Sequence, residues 1–317
     1  MLKAVVLLLV GFVLLIKGAD FFVDGSSSVA RILKVPNLII GLTIVAMGTS
    51  LPELSVSITA SMAGSNALAV SNVIGSNIFN MIVVLGASAL LTPLCVSKEV
   101  LKKDFPFSVV CAVLLLILGY IGMELGRCDG LIFLALFIGF IVYQIISAQK
   151  ARKATLEAGN SEGDDKIKNI PLWLAFIFIV GGAAAVKFGG DFVVDSAKYI
   201  ALSFGLSENL IGLTIVALGT SLPELVTSVV AARKNQLDMA VGNVVGSNVF
   251  NILMILGVAA AVSPITFITE NVIDIIILLG FSIVLWVMCL VRKKLDKLEG
   301  AIMLLGYAGY MAYIIMR

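Results

Sequence analysis

The sequence predicts an all-α polytopic membrane protein: ten transmembrane helices in two inverted five-helix repeats, with helices broken at a polar centre. Three observations carry this prediction. Of 317 residues, 60% are hydrophobic and 13% charged, with a mean hydropathy of +1.11, whereas soluble domains are about 45–50% apolar and 25% charged. Ten apolar runs approach the roughly 20 residues needed to cross a bilayer core. The chain also matches itself at one constant offset.

The first run, 3–23, opens like a signal peptide. It continues through Lys17 to Asp24 without a small-residue cleavage site, and a related segment recurs in mid-chain, so it reads as a helix. Runs near 38–62 and 68–92 carry Gly, Ser, Thr, Asn, Pro or Glu within their apolar stretches. Clear apolar runs follow near 104–123 and 129–148. Gln149 to Asn169, with Glu157, Glu162, Asp164, Asp165 and several lysines, reads as a solvated linker. Beyond it lie 172–190, the polar-interrupted 208–232 and 238–262, and the apolar 271–291 and 298–316. The chain thus divides into a first repeat (1–148), a linker (149–171) and a second repeat (172–317).

Basic residues fall unevenly on alternate loops. One face collects Arg31, Lys34, Lys98, Lys102, Lys103, Lys150, Arg152, Lys153, Arg233, Lys234, Arg292 and Lys297 among others; the opposite face has Lys3, Arg127, Lys187, Lys198 and Arg317. The positive-inside rule puts the first face in the cytoplasm and both termini outside. A net charge of +2 with no basic cluster outside the loops excludes a nucleic-acid-binding module, and the composition excludes a free-standing soluble enzyme. Histidine is absent, which disfavours zinc and haem chemistry. Cys95, Cys111, Cys128 and Cys289 show no CxxC spacing and read as small core residues.

At an offset of 171 residues, Asp20 falls on Asp191, Asp24 on Asp195, Glu53 on Glu224 and Asn80 on Asn251. Fourteen of fifteen positions are identical between 40–54 and 211–225. Five spans per half is an odd number, so the second half starts from the opposite face. Inverted repeats of this kind characterise secondary transporters, whose sites lie near the midplane where broken helices meet.

The first repeated motif is Gly48-Thr-Ser-Leu-Pro-Glu53, with Gly219-Thr-Ser-Leu-Pro-Glu224. Gly and Pro interrupt a helix, which is expected to free carbonyls at Ala46, Thr49, Ala217 and Thr220. Such groups are tolerated at membrane depth only when buried in protein or facing water or ions. Ser50 with Glu53, and Ser221 with Glu224, also fit a capping box. A cap is worth roughly 1 kcal/mol, whereas an ionised side chain at the bilayer centre costs about 2.5–3.5 kcal/mol or more. Two symmetry-paired carboxylates therefore favour a cation site, with which a cap is compatible.

The second motif is Asn72-Val-Ile-Gly-Ser-Asn-Ile-Phe-Asn80, echoed by Asn243-Val-Val-Gly-Ser-Asn-Val-Phe-Asn251. Ser76 and Asn80, like Ser247 and Asn251, are four apart and share a helix face. Gly75 and Gly246 are expected to pack helices closely. Carboxylates, carbonyls, amides and hydroxyls are hard ligands suited to Na⁺ and Ca²⁺. Competition of the two ions for one carboxylate pair would couple them as an antiporter does.

On these residues the sequence resembles the sodium/calcium exchangers of the cation/Ca²⁺ antiporter superfamily, over essentially the whole chain. The resemblance implies that Glu53 and Glu224 are the central Ca²⁺ ligands. It implies that Thr49, Ser50, Thr220, Ser221, Ser76, Asn80, Ser247 and Asn251 complete the Ca²⁺ and Na⁺ sites, and that the carbonyls of Ala46 and Ala217 serve outer Na⁺ sites. It further implies alternating access, with the first and sixth spans sliding across the rest.

Some relatives carry Asp where this chain has Asn80 or Asn251, and the two asparagines argue against K⁺ dependence. The linker is too short for the Ca²⁺-sensing domains of animal exchangers. The expected protein is not an enzyme and has no cofactor. Ca²⁺ and Na⁺ are its cargo, the lipid bilayer its surroundings, and it works as a monomer without an obligatory protein partner. A prokaryotic plasma membrane is the expected location. Coupling to H⁺ is the alternative on the same fold. A passive channel fits poorly, because the pseudo-symmetry lies within one chain. Asp20, Asp24, Asp191 and Asp195 are assigned to capping or surface pairing, with ion access as the alternative.

Overall fold

Hydropathy sets where helices cross, but backbone continuity sets where they end. The computed structural model describes residues 1–62, 66–157, 170–205, 217–292 and 294–316. Helix α1 is Leu2–Leu33. Helices α2 (Asn37–Thr49) and α3 (Leu51–Met62) form one element bent by 48°. Then come α4 (Ala69–Leu91), α5 (Val100–Met123), α6 (Arg127–Ala154) and α7 (Leu172–Ser203). A short helical turn, Ala217–Gly219, precedes α8 (Leu222–Arg233). The chain finishes with α9 (Leu237–Val262), α10 (Thr269–Arg292) and α11 (Lys297–Met316). Among the described residues, eight helices are long and apolar enough to cross a membrane, and the bent α2–α3 pair makes nine. The part of the expected 208–232 span before Ala217, and linker residues 158–169, lie outside the described residues.

The helices expected over 3–23 and 172–190 run on to Leu33 and Ser203. Asp20, Asp24 and Ser26 to Ser28 lower the hydropathy of α1 without breaking its backbone hydrogen bonds. The helix stops at Lys34, whose left-handed φ of 56° lets its N–H reach the Ala30 and Arg31 carbonyls, two residues before Pro36.

Helices α1 and α7 pack antiparallel along their lengths, and glycines seven residues apart set their separation. A Cβ on Gly18 would lie 3.0 Å from the Gly182 carbonyl oxygen, and one on Gly182 would lie 2.7 Å from that of Gly18. Gly11 faces Gly189, and Gly25 faces Ala175, in the same way. Small residues are what allow membrane helices this approach, since lipid offers no hydrophobic drive to associate.

Helix α9 is the hub, with Asn243, Ser247 and Asn251 fully buried. Gly246 packs against Leu42 and Ala46 of α2, as expected. Gly75 meets no described atom within 4 Å. The segment that repeats Leu42, around 213, lies outside the described residues.

Four two-residue strands tie the halves together: β1 (Leu94–Cys95), β2 (Glu124–Leu125), β3 (Ile265–Thr266) and β4 (Lys294–Leu295). β1 pairs antiparallel with β4, and β2 with β3, so each pairing joins the two halves. All four cysteines are free. Cys111 and Cys289 are core residues, whereas Cys95 and Cys128 are exposed, because they sit at the edge of a strand and at the start of α6 rather than on packed helix faces.

Candidate cation site

The α2–α3 break centres on Ser50, whose φ and ψ of −85° and 12° leave the helix, just before Pro52 removes a donor. The break does not free the Ala46 carbonyl. That oxygen accepts the Ser50 amide at 3.1 Å and lies 3.3 Å from Thr49 Oγ1 and 3.5 Å from Ser247 Oγ. A carbonyl has two lone pairs, and here the neighbouring residues compete for them. In the second repeat Ala217 lies in the short turn before the break. Thr220 is half-buried beside it, its hydroxyl without a partner.

Neither serine acts as a helix cap. Ser50 Oγ donates to Glu224 Oε1 at 2.7 Å, and Ser221 Oγ donates to Glu53 Oε1 at 3.1 Å. Ser221 makes no cap bond on α8. Each serine holds the carboxylate of the other repeat, and Ser76 Oγ approaches Glu53 Oε1 at 3.5 Å. The capping-box spacing is present, but each hydroxyl proton goes to a buried carboxylate across the repeat, a charge-assisted bond.

Around these carboxylates lies an amide network that obeys the same exchange. Asn77 Nδ2 donates to the Asn248 carbonyl and Asn248 Nδ2 to the Asn77 carbonyl, both at 3.3 Å. Asn80 Nδ2 donates to Asn248 Oδ1 at 3.3 Å, and Asn251 Nδ2 to Asn77 Oδ1 at 3.0 Å. Asn80 and Asn251 each open a π turn, Asn80–Val84 and Asn251–Ile255, a local widening that recurs at functional sites. On the flanks, Asn72 Nδ2 donates to Ser57 Oγ at 3.1 Å and Asn243 Nδ2 to Ser228 Oγ at 2.9 Å. Thr49 Oγ1 lies 3.1 Å from Asn243 Oδ1.

Glu53, Glu224, Ser50, Ser221, Asn80, Asn251 and Ser247 are fully buried. Each amide nitrogen of this network donates a bond, and the atoms left without a partner beside the two carboxylates include four acceptors, Glu53 Oε2, Glu224 Oε2, Asn80 Oδ1 and Asn251 Oδ1, together with the Thr220 hydroxyl. Buried acceptors with no donor are costly, and a cation is what such a set satisfies. Among the described residues no three His, Cys, Asp or Glu side chains cluster as a metal site, so the oxygens available are two carboxylates and neutral groups.

The structure adds residues that pattern reading passed over. Asn77 and Asn248 sit one position off the Ser76–Asn80 and Ser247–Asn251 faces, which hid them, although they too recur at the constant offset. Gly48 and Gly219 have a further reason to be glycine. A Cβ on Gly48 would lie 2.7 Å from Phe22 Cζ of α1, and one on Gly219 would lie 2.2 Å from Val194 Cγ2 of α7. Three of the four aspartates of α1 and α7 are ion-paired, Asp20 and Asp24 with Lys234 and Asp191 with Lys187, while Asp195 is exposed with no salt bridge among the described residues.

Comparison with known proteins bears on the family and the fold. The family model for sodium/calcium exchanger proteins matches residues 3–146 and 173–316. The putative antiporter CaxA of Alkalimonas amylolytica is 40% identical, covering 98% of both chains. The sodium/calcium exchanger MaX1 of Methanosarcina acetivorans is 30% identical over 97% of each. A solved structure of the sodium-calcium exchanger NCX_Mj, soaked with 2.5 mM Na⁺ and 10 mM Sr²⁺, matches with a TM-score of 0.84 and 31% identity, covering 98% of both chains. With the paired motifs, the apolar helices and both halves matched, the chain belongs to the sodium/calcium exchanger family of multi-pass membrane antiporters.

Proposed function

We propose that this chain moves Ca²⁺ against Na⁺ by alternating access, using one site in which the two ions compete. Glu53 and Glu224 are its central ligands. Thr49, Ser50, Ser76, Asn80, Thr220, Ser221, Ser247 and Asn251 complete the Ca²⁺ and Na⁺ positions, and the Ala46 and Ala217 carbonyls serve outer Na⁺, Ala46 once the Thr49 and Ser247 hydroxyls turn away from it. The observation that carries this reading is the set of orphan acceptors, two carboxylate and two amide oxygens related by the repeat. Hard oxygens of this kind suit Ca²⁺ and Na⁺. A pair of negative charges balances one Ca²⁺ or two Na⁺.

The same reading gives ten spans in two inverted repeats, the tenth being completed by the segment before Leu222. Both termini are extracellular, the 149–171 linker is cytoplasmic, and the chain acts in a prokaryotic plasma membrane. The exchange of equivalent hydrogen bonds between residues 171 apart supports the repeat.

The test is Ca²⁺ uptake into proteoliposomes under an imposed Na⁺, H⁺ or K⁺ gradient. Uptake driven by outward Na⁺ is expected. Uptake driven by a pH gradient alone would assign the coupling to H⁺, and uptake with no counter-ion gradient would remove the antiporter.

A further inference from the structure

Lys234 ends α8 and reaches across to α1. Its Nζ lies 2.7 Å from Asp24 Oδ1 and 3.3 Å from Asp20 Oδ1, and it donates to the Asp20 carbonyl at 2.9 Å. The side chains are 28% exposed for Lys234, 34% for Asp20 and 29% for Asp24. The pairing is therefore partly shielded from solvent. The approach is set by the backbone: Asn235 adopts a left-handed φ of 61°, and Gln236 N–H turns back to the Ala231 carbonyl at 2.8 Å, fixing the direction in which Lys234 leaves the helix.

Among the described residues the other repeat shows no such clasp. The position 171 residues before Lys234 is Ala63, and Asp191 of α7 pairs with Lys187 on its own helix at 2.7 Å. Burial follows the same asymmetry. Thr227 on α8 is fully buried and Val230 is buried, and α1 packs along α8. Their repeat mates on α3, Val56 and Thr59, are exposed, Val56 by 37%. Helix α7 makes no comparable contact along α3 among the described residues.

We infer that Lys234 is an ionic latch that holds α1 closed over α8, and so sets which side of the cation site is accessible at rest. It is a positioning residue: it touches no group of the site and acts through α1. The inference rests on the alternating-access reading above. An ion pair joins helices only while they are apposed, so it stabilises one of two states and leaves the other unchanged, which is the condition for shifting a population. Because Ala63 offers nothing equivalent, the bias has one direction.

The test uses the full chain in proteoliposomes, with a reporter cysteine at Thr227 (T227C) or at Val56 (V56C). Maleimide labelling is read on each reporter peptide by mass spectrometry at one fixed Na⁺ concentration and again with Ca²⁺. Lys234→Gln is expected to raise labelling at position 227 by about two- to fivefold, the range a partly exposed ion pair sustains, with a matching fall at position 56. The charge swap Lys234→Asp with Asp24→Lys is expected to restore both values. Asp20→Asn with Asp24→Asn removes the other half of the latch and should repeat the Lys234→Gln result, which covers the case in which one variant fails to fold. Unchanged labelling at both reporters, or a rise at 227 without a fall at 56, would overturn the latch and leave only local pairing. If neither reporter responds to Ca²⁺ in the chain that keeps Lys234, it is the alternating-access reading that fails.

Discussion

Asn77 and Asn248 bind each other twice: each side-chain amide donates to the other's main-chain carbonyl at 3.3 Å. The two bonds close a ring about the local pseudo-two-fold axis and hold α4 against α9. The side-chain oxygens of the same residues then accept from Asn251 and Asn80, which fixes the amide orientation of both. Asn77→Ala therefore removes a donor and also strands the Asn251 amide. A buried group left unsatisfied costs about 1–3 kcal/mol. The expected outcome is a thermal midpoint several degrees lower in detergent and weaker Na⁺ binding, with Asn248→Ala matching it. A thermal scan with and without Na⁺ checks both.

Glu53→Gln and Glu224→Gln are each expected to abolish exchange while leaving a folded protein. Glutamine keeps the volume and the oxygen that accepts from Ser221 or Ser50, but loses the charge and turns the unpartnered second oxygen into an NH2 donor. Ca²⁺ flux in proteoliposomes, beside size-exclusion profiles, reads the two effects separately. Normal transport by either variant would reduce the carboxylates to structural acceptors.

Ser50→Ala and Ser221→Ala should both loosen the carboxylate of the other repeat, Ser50→Ala the more strongly, since Ser76 Oγ still stands 3.5 Å from Glu53 Oε1 once Ser221 is lost. Each bond to a charged group contributes about 1.5–3 kcal/mol, and its loss leaves the opposite carboxylate free to rotate. Apparent Ca²⁺ affinity is expected to fall about tenfold or more in each. Had the serines capped their own helices, the variants would instead lose thermal stability at unchanged affinity.

Gly219→Ala brings a methyl group to 2.2 Å from Val194 Cγ2. In an ordinary helix, alanine gains about 1 kcal/mol over glycine; here it must push α7 away. Slower exchange is expected, recovering when Val194 is also reduced to alanine. Initial rates of Na⁺-driven Ca²⁺ uptake measure this, and no rate change in Gly219→Ala would show that α7 yields without cost.

Much of the arrangement is legible in the sequence alone. Glu53, Glu224, Asn80 and Asn251 stand out because polar groups at membrane depth are rare and these recur at one offset. What sequence could not show was where hydrogen bonds go once the repeats interlock. Ser50 and Ser221 carry a capping signature that the fold spends across the repeat boundary. Lys234 counted only as an orientation charge, since its partners are some two hundred residues away. The polar stretch at Ser26 to Ser28 lowered hydropathy and hid ten residues of α1. Asn77 and Asn248 lay one step off the face that periodicity selected.

The glycine ladder between α1 and α7 has a mechanical consequence. With Gly11, Gly18 and Gly25 set against Gly189, Gly182 and Ala175, the two helices meet backbone to backbone, and no lipid chain fits between them. Paired in this way, they form a single two-helix element. On the alternating-access reading, such an element cannot lift at both ends at once, so an opening toward one side of the membrane would press the other side shut. Protection against a through-leak then comes from the stiffness of a single paired element, and needs no communication between two separate gates.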